Sequence, residues 1–183
     1  MHAYANPARF LKIARPATAW ALARRGVDVL VVDCRFNLAD TQAGQAAWQQ
    51  GHLAGAVYAH LDRTLSGSKT GQNGRHPLPD WAHWQATLQA WGLTAQTQVV
   101  AYDDAGGAFV SRLWWLLRDH GHDDVLVLDG GQAAWVASGR RLTTEPVTPE
   151  PGDFAGSPGH LPVVDAAGAA SGSSTFLAHA LVR

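Results

Sequence analysis

Cysteine is almost missing from this chain, which carries a single one, Cys34, in 183 residues. One thiol excludes an internal disulfide, and the histidines show no Cys/His spacing of the kind that makes a structural zinc site. So sparse a use of cysteine fits a reducing compartment, and the expected localisation is cytoplasmic. An excess of charge of either sign is also lacking: the formal net charge is −1 at pH 7, which argues against nucleic acid or a membrane surface as a general partner. No run is long and apolar enough to span a bilayer, and no secretory apolar region follows the N-terminus. Acids are absent from residues 1–27, which hold Arg9, Lys12, Arg15, Arg24 and Arg25. That segment reads either as an organelle transit peptide or as a lead-in followed by a surface helix, Thr18 to Arg25, whose basic residues sit where the macrodipole favours them.

Apolar material, in contrast, is ample. The chain is 46% hydrophobic with eight Trp, enough for the core of one globular domain and too little chain for two. Val27 to Val32 is a β-branched apolar run that suits a strand buried on both faces of a parallel sheet. A helix is expected over Gln42 to Gln50, a short strand over Ala56 to Tyr58, and a helix after Asp80 that places Trp81, Trp84, Leu88 and Trp91 on one core-facing side. Gln98 to Tyr102 is the next strand, and the apolar segment Leu113 to Leu117 belongs to a crossover helix. Val125 to Leu128 is a further strand, followed by a short helix holding Trp135.

The place for chemistry is the polar, Gly-rich turn from Asp103 to Ser111. It joins a strand end to a helix start, where backbone N–H groups converge on an anion. A second candidate region is Leu65 to Asp80, the longest stretch without periodicity. Its Lys69, Arg75 and His76, with no acid before Asp80, favour a small anion. The same charges also fit a solvated loop. Cys34, at the end of the first apolar strand, reads as a packed small side chain or, beside Arg35, as an activated thiol. His52 reads as a turn histidine, and His120-Gly121-His122 as a surface turn. Asp129-Gly130-Gly131 lacks the remaining residues of a nucleotide-binding loop.

Four motifs in order, VVDCR, GHLAGA, VVAYD with its loop, and LDGGQAAW, give a resemblance to the rhodanese family of sulfurtransferases over roughly residues 14 to 156, within the ±2–4 residue uncertainty of such boundaries. The resemblance implies a three-layer α/β/α domain around a parallel five-stranded sheet. It divides the chain into a lead-in at 1–13, a rhodanese-like domain at 14–142, and a Pro/Gly-rich inter-domain linker and tail at 143–183. In that family a Cys at the first position of the loop carries sulfur as a persulfide within a ring of amides. Asp103 stands there in this chain. A thiolate takes up and releases sulfur, whereas a carboxylate oxygen holds no stable sulfane sulfur and would fill the ring with its own charge.

The resemblance is therefore to the Cys-less N-terminal half of two-domain thiosulfate and 3-mercaptopyruvate sulfurtransferases, with no catalytic residue in this chain. It implies a small anionic sulfur donor, a C-terminal catalytic rhodanese domain absent from this sequence, no metal or organic cofactor, and donor contact by Arg75 and His76. The tail from Thr143, rich in Pro and Gly, reads as a linker that ends in a truncated or altered segment. Two other readings stand beside this one: a free-standing binding or regulatory module, and a single-domain thiol enzyme using Cys34.

Overall fold

The fold is that of a computed structural model, which describes residues 12–19 and 26–163. Strand β1 (Lys12–Ala14) is followed by helical residues 16–19, then β2 (Val29–Asp33), α1 (Ala43–Gln50), β3 (Ala56–Tyr58) and α2 (Trp81–Ala90). Next come β4 (Gln98–Tyr102), α3 (Val110–Asp119), β5 (Val125–Leu128) and α4 (Gly131–Ala137). The five strands form one sheet in the order β1-β5-β4-β2-β3, and every pairing is parallel.

The layering follows from the alternation of side chains along the strands. Leu30, Val32, Val99, Ala101, Val125 and Val127 point to one face, where they pack with Trp84 and Leu88 of α2 and Leu113, Leu116 and Leu117 of α3. Val100, Tyr102 and Leu128 point to the other and pack with Ala19 and with Trp135 of α4. Central strands sandwiched in this way have no solvent face, which explains their continuous apolar runs. Asp80 caps α2 by accepting a hydrogen bond from His83 N at 3.0 Å, and within α2 Trp84 and Leu88 are fully enclosed while Trp81 and Trp91 pack at the margin.

Two features depart from the sequence expectations, and a third lies partly beyond view. The first core strand starts at Val29 rather than Val27, which is exposed. β1 falls partly within the expected lead-in. Its three residues carry no pattern of their own and become a strand through pairing with β5, Lys12 opposite Leu126 and Ala14 opposite Leu128. The expected helix Thr18 to Arg25 is helical as far as residue 19, and the rest of it, like residues 1–11 and 164–183, lies outside the described residues.

The Pro-rich segment from Thr143 packs along the domain. Thr143 pairs with His52 through reciprocal backbone hydrogen bonds of 2.9 Å, Gly152 N donates to Gln89 O, and Phe154 N donates to Leu93 O. Phe154 enters the core with its ring edge-on to His122. Farther on, the Asp119 carboxylate accepts from Gly159 N and Leu161 N at 3.3 and 3.1 Å.

The chain moves outward in one direction from β2 to β3 and in the other from β4 to β5. The topological switch therefore lies between β2 and β4, where Asp33 pairs with Tyr102. Crevices that take ligands in open parallel sheets lie beyond the carboxyl ends of the strands at such a point.

Candidate functional site

The loop leaving β4 at that switch point is closed around its own side chain. Asp103 Oδ1 accepts hydrogen bonds from Ala105 N and Gly107 N at 3.1 and 2.9 Å, and Oδ2 accepts from Phe109 N and Val110 N at 2.9 and 3.0 Å. Residues 105–110 thus bend their amides inward onto one carboxylate, and the last two donors sit at the start of α3, where the helix dipole favours negative charge. Asp103 is 5% exposed. Four charge-assisted hydrogen bonds compensate its burial, so the ring is full without any external anion.

The neighbouring β5–α4 turn is pressed against this loop. A Cβ on Gly131 would stand 2.0 Å from Asp103 O, and Gly131 has φ +55°. Only glycine fits there, which accounts for the double glycine of the LDGGQAAW motif better than a phosphate loop does. A cavity of about 280 Å³ opens beside the two turns, lined by Asp103, Asp104, Gly107, Asp129 and Gly130, with Ile13 and Val127. Asp104 and Asp129 are exposed at its lining.

Beneath the loop, Asp33, Arg35 and Tyr102 fasten the ends of β2 and β4. Arg35 Nη2 lies 2.7 Å from Asp33 Oδ2, and Tyr102 Oη donates to the same oxygen at 2.7 Å. Arg35 Nη2 also donates to Gly51 O at 2.8 Å, and Leu53 N donates to Tyr102 Oη at 3.3 Å. Burial and the adjacent Asp33 carboxylate push the Tyr102 phenol far up, so it stays a donor. The Asp-x-Arg of the VVDCR motif is therefore a strut under the site.

Cys34 sits between these layers and is 1% exposed. Burial, then Asp33, then Asp103 raise its thiol well above the usual value. Arg35 turns its guanidinium to Asp33, so the activation that its neighbourhood suggested is absent. A protonated, enclosed thiol is a packing group.

The other sequence candidates separate from Asp103. Arg75 is exposed on the long loop and donates to Leu38 O at 3.3 Å. His76 is partly buried, with Nδ1 3.1 Å from Asp62 Oδ1, an ion-pair distance when the ring is protonated but off the line of a straight hydrogen bond. Neither lines the cavity beside Asp103. Lys69 reaches the same Asp62 oxygen at 3.3 Å. Burial pushes Asp62 up, but the Lys69 hydrogen bond and charge, with His76, outweigh it and leave the carboxyl below its ordinary range.

Asp62 and Arg112 are two residues that sequence reasoning passed over. Arg112 is a charged residue near the start of a helix that is apolar from Leu113 to Leu117, and that oddity was the available signal. Asp62 carried none, since only the folded loop returns His76 to it.

The remaining histidines have structural partners. His52 is buried, its ring stacked on Trp48 and its nitrogens facing Trp48 O and Glu145 O at 2.7 and 3.2 Å. His120 is buried against Trp81, and His122 packs on Phe154. The expected turn forms at His120 and Gly121, but both histidines are buried rather than on the surface, because the segment from Thr143 covers them. Among the described residues no group of three or more His, Cys, Asp or Glu could hold a metal ion, and no helix is long and apolar enough to cross a membrane.

Comparison with known proteins follows the same outline. The rhodanese-like domain family matches residues 16–138. A Pseudomonas aeruginosa protein named as a probable 3-mercaptopyruvate sulfurtransferase is 50% identical over 142 residues, covering 76% of this chain and 50% of that protein. Mouse thiosulfate sulfurtransferase is 32% identical over 133 residues, covering 72% and 44%. The crystal structure of SseA from Escherichia coli, a 3-mercaptopyruvate sulfotransferase, superposes with a TM-score of 0.78 at 20% identity, covering 91% of this chain and 63% of that one. The chain spans about half the length of the curated relatives it matches. With the parallel five-stranded sheet, the loop at its switch point and the motif order in agreement, the chain belongs to the rhodanese-like domain family.

Proposed function

We propose that this chain is the non-catalytic rhodanese domain of a sulfurtransferase, one wall of a cleft whose nucleophile is carried by a further rhodanese domain. The reaction of the whole enzyme moves a sulfane sulfur from thiosulfate or 3-mercaptopyruvate to cyanide or a thiol. A thiolate attacks the outer sulfur of thiosulfate, the S–S bond breaks, sulfite leaves with the bonding pair, and the sulfur remains as a persulfide until an acceptor takes it. The observation that carries the reading is the Asp103 carboxylate bound by four loop amides at the position where that persulfide would sit. An oxygen nucleophile held this way has no free lone pair aimed at a donor, and its charge repels one.

The part left to this chain is contact with the donor through the Leu65–Asp80 loop. Arg75 is exposed and meets an anion directly, whereas His76 Nε2 is buried without a hydrogen-bond partner among the described residues and reaches a donor only if the loop shifts. Asp62 Oδ1 lies 3.1 Å from the other ring nitrogen, Nδ1, and sets one side of the ring's surroundings. The single buried thiol fits a reducing cytoplasm, to be checked by fractionation.

The test is thiocyanate formation from thiosulfate and cyanide, and pyruvate release from 3-mercaptopyruvate, by the purified chain alone and with a separately produced catalytic rhodanese domain. The expected result is no product from the chain alone and product from the pair, reduced when Arg75 and His76 are both replaced by Ala. Product from the chain alone contradicts the reading.

A further inference from the structure

Arg112 stands two residues beyond Val110, the last of the amides that hold Asp103. Its guanidinium donates Nε–H to Leu65 O at 3.1 Å and uses Nη2 for His76 O at 3.1 Å and Pro77 O at 2.8 Å. Those carbonyls mark both ends of one loop: Leu65 opens it, and His76 and Pro77 close it. Gly67 N donates to Pro77 O at 3.1 Å across the same neck. No carboxylate pairs with Arg112 among the described residues, so a half-buried cation is committed to main-chain oxygens. The rigid planar fork of arginine suits several carbonyls at fixed angles, and a lysine ammonium does not.

The geometry points to Arg112 as a positioning residue for His76, with Asp103 as the anchor of the helix that carries it. The connection is contiguous. Asp103 fixes Phe109 N and Val110 N at the start of α3, α3 presents Arg112 within its first turn, and Arg112 holds the backbone of His76 so that the ring meets Asp62. An internal carboxylate at position 103 therefore has a use without any sulfur chemistry, since it keeps the helix that shapes the other loop. This assignment rests on the reading of His76 as a donor contact, but its test does not need a donor.

The experiment compares the full chain with Arg112→Met and Arg112→Lys. It reads carbethoxylation of each histidine by peptide mapping, tryptic cutting after Lys69 and Arg75, and the imidazole nitrogen shifts of His76. In Arg112→Met, His76 modification and loop cutting rise by roughly tenfold or more, as expected when a loop opens locally, while buried His52 keeps its wild-type rate. Arg112→Lys falls between the two, because an ammonium reaches fewer of the carbonyls.

A folded Arg112→Met chain with unchanged His76 rates and nitrogen shifts overturns the proposal, and so does an equal rise at His52, which marks global loosening. If Arg112→Met does not fold, the unmodified chain decides: Arg112 Nε–H exchanges much more slowly than that of Arg75, and equal rates overturn the assignment. If the His76 readouts move as expected while thiosulfate never protects His76 in the presence of the catalytic domain, the clamp stands and the donor-contact reading fails.

Discussion

The Asp103 loop and the Leu65–Asp80 loop flank the same helix and are built on opposite terms. In the first, the polar groups at the centre are paired internally, four amides to one carboxylate, with Gly131 pressed against the backbone. In the second, the neck is clamped from outside by Arg112 and local turns tie Ser68 to Asn73, while Arg75 is exposed and buried His76 Nε2 has no partner among the described residues. A loop that satisfies itself is scaffold. A loop held in place with Arg75 exposed can still meet a ligand, and this difference is why the proposed donor contact is assigned to the second loop rather than to the fold's usual reactive position.

The largest expected effect comes from emptying the first loop. Asp103→Ala leaves four amide donors without their acceptor, one buried and three part-buried, and stability falls by on the order of 3 kcal/mol in a denaturant titration. A loss under about 1 kcal/mol would mean that water replaces the carboxylate and that the two loops are less different than argued. Gly131→Ala comes next. The added methyl meets Asp103 O and the positive φ resists it, so a loss of roughly 2 kcal/mol is expected in the same titration.

Acid should act on the second loop, as it should at His122, whose pKa burial also lowers. His60 lies at the neck of that loop, where Nδ1 accepts from Asp62 N and Arg63 N at 3.1 and 3.3 Å. Burial, then the Arg63 charge, lowers its pKa from 6.5. The unfolded chain therefore gains a proton near 6.5 that the folded one still refuses. Stability present above that pH falls as pH drops toward the lower folded value, then levels off. The check is a denaturant midpoint followed against pH, with His60→Asn, which keeps an acceptor and cannot titrate, removing this part of the slope.

The smallest effect belongs to the candidate contact residues themselves. Arg75→Ala and His76→Ala should change stability by no more than about 0.5 kcal/mol each, while lowering activity in the reconstituted pair. A large stability loss would turn the second loop into scaffold as well.

Much of this was legible in the residues. Buried central strands announce themselves through runs such as VLVVD and QVVAY, because both faces are covered and no polar alternation is needed. The Asp for Cys exchange was readable too, since the motif places residue 103 at a strand end before a helix. Legibility ended where partners are distant in sequence. β1 exists only through its pairing with Leu126, Val127 and Leu128. The segment from Thr143 has linker composition and yet supplies Phe154 to the core. Arg112 meets residues 35 to 47 positions earlier, and no local pattern encodes that return.

The most direct test of the central claim is the intact mass of the folded chain after incubation with excess thiosulfate, followed by alkylation and peptide mapping. The account predicts an unchanged mass, with Cys34 unlabelled until the chain is unfolded. A gain of one sulfur atom on Cys34 in the folded chain would contradict it.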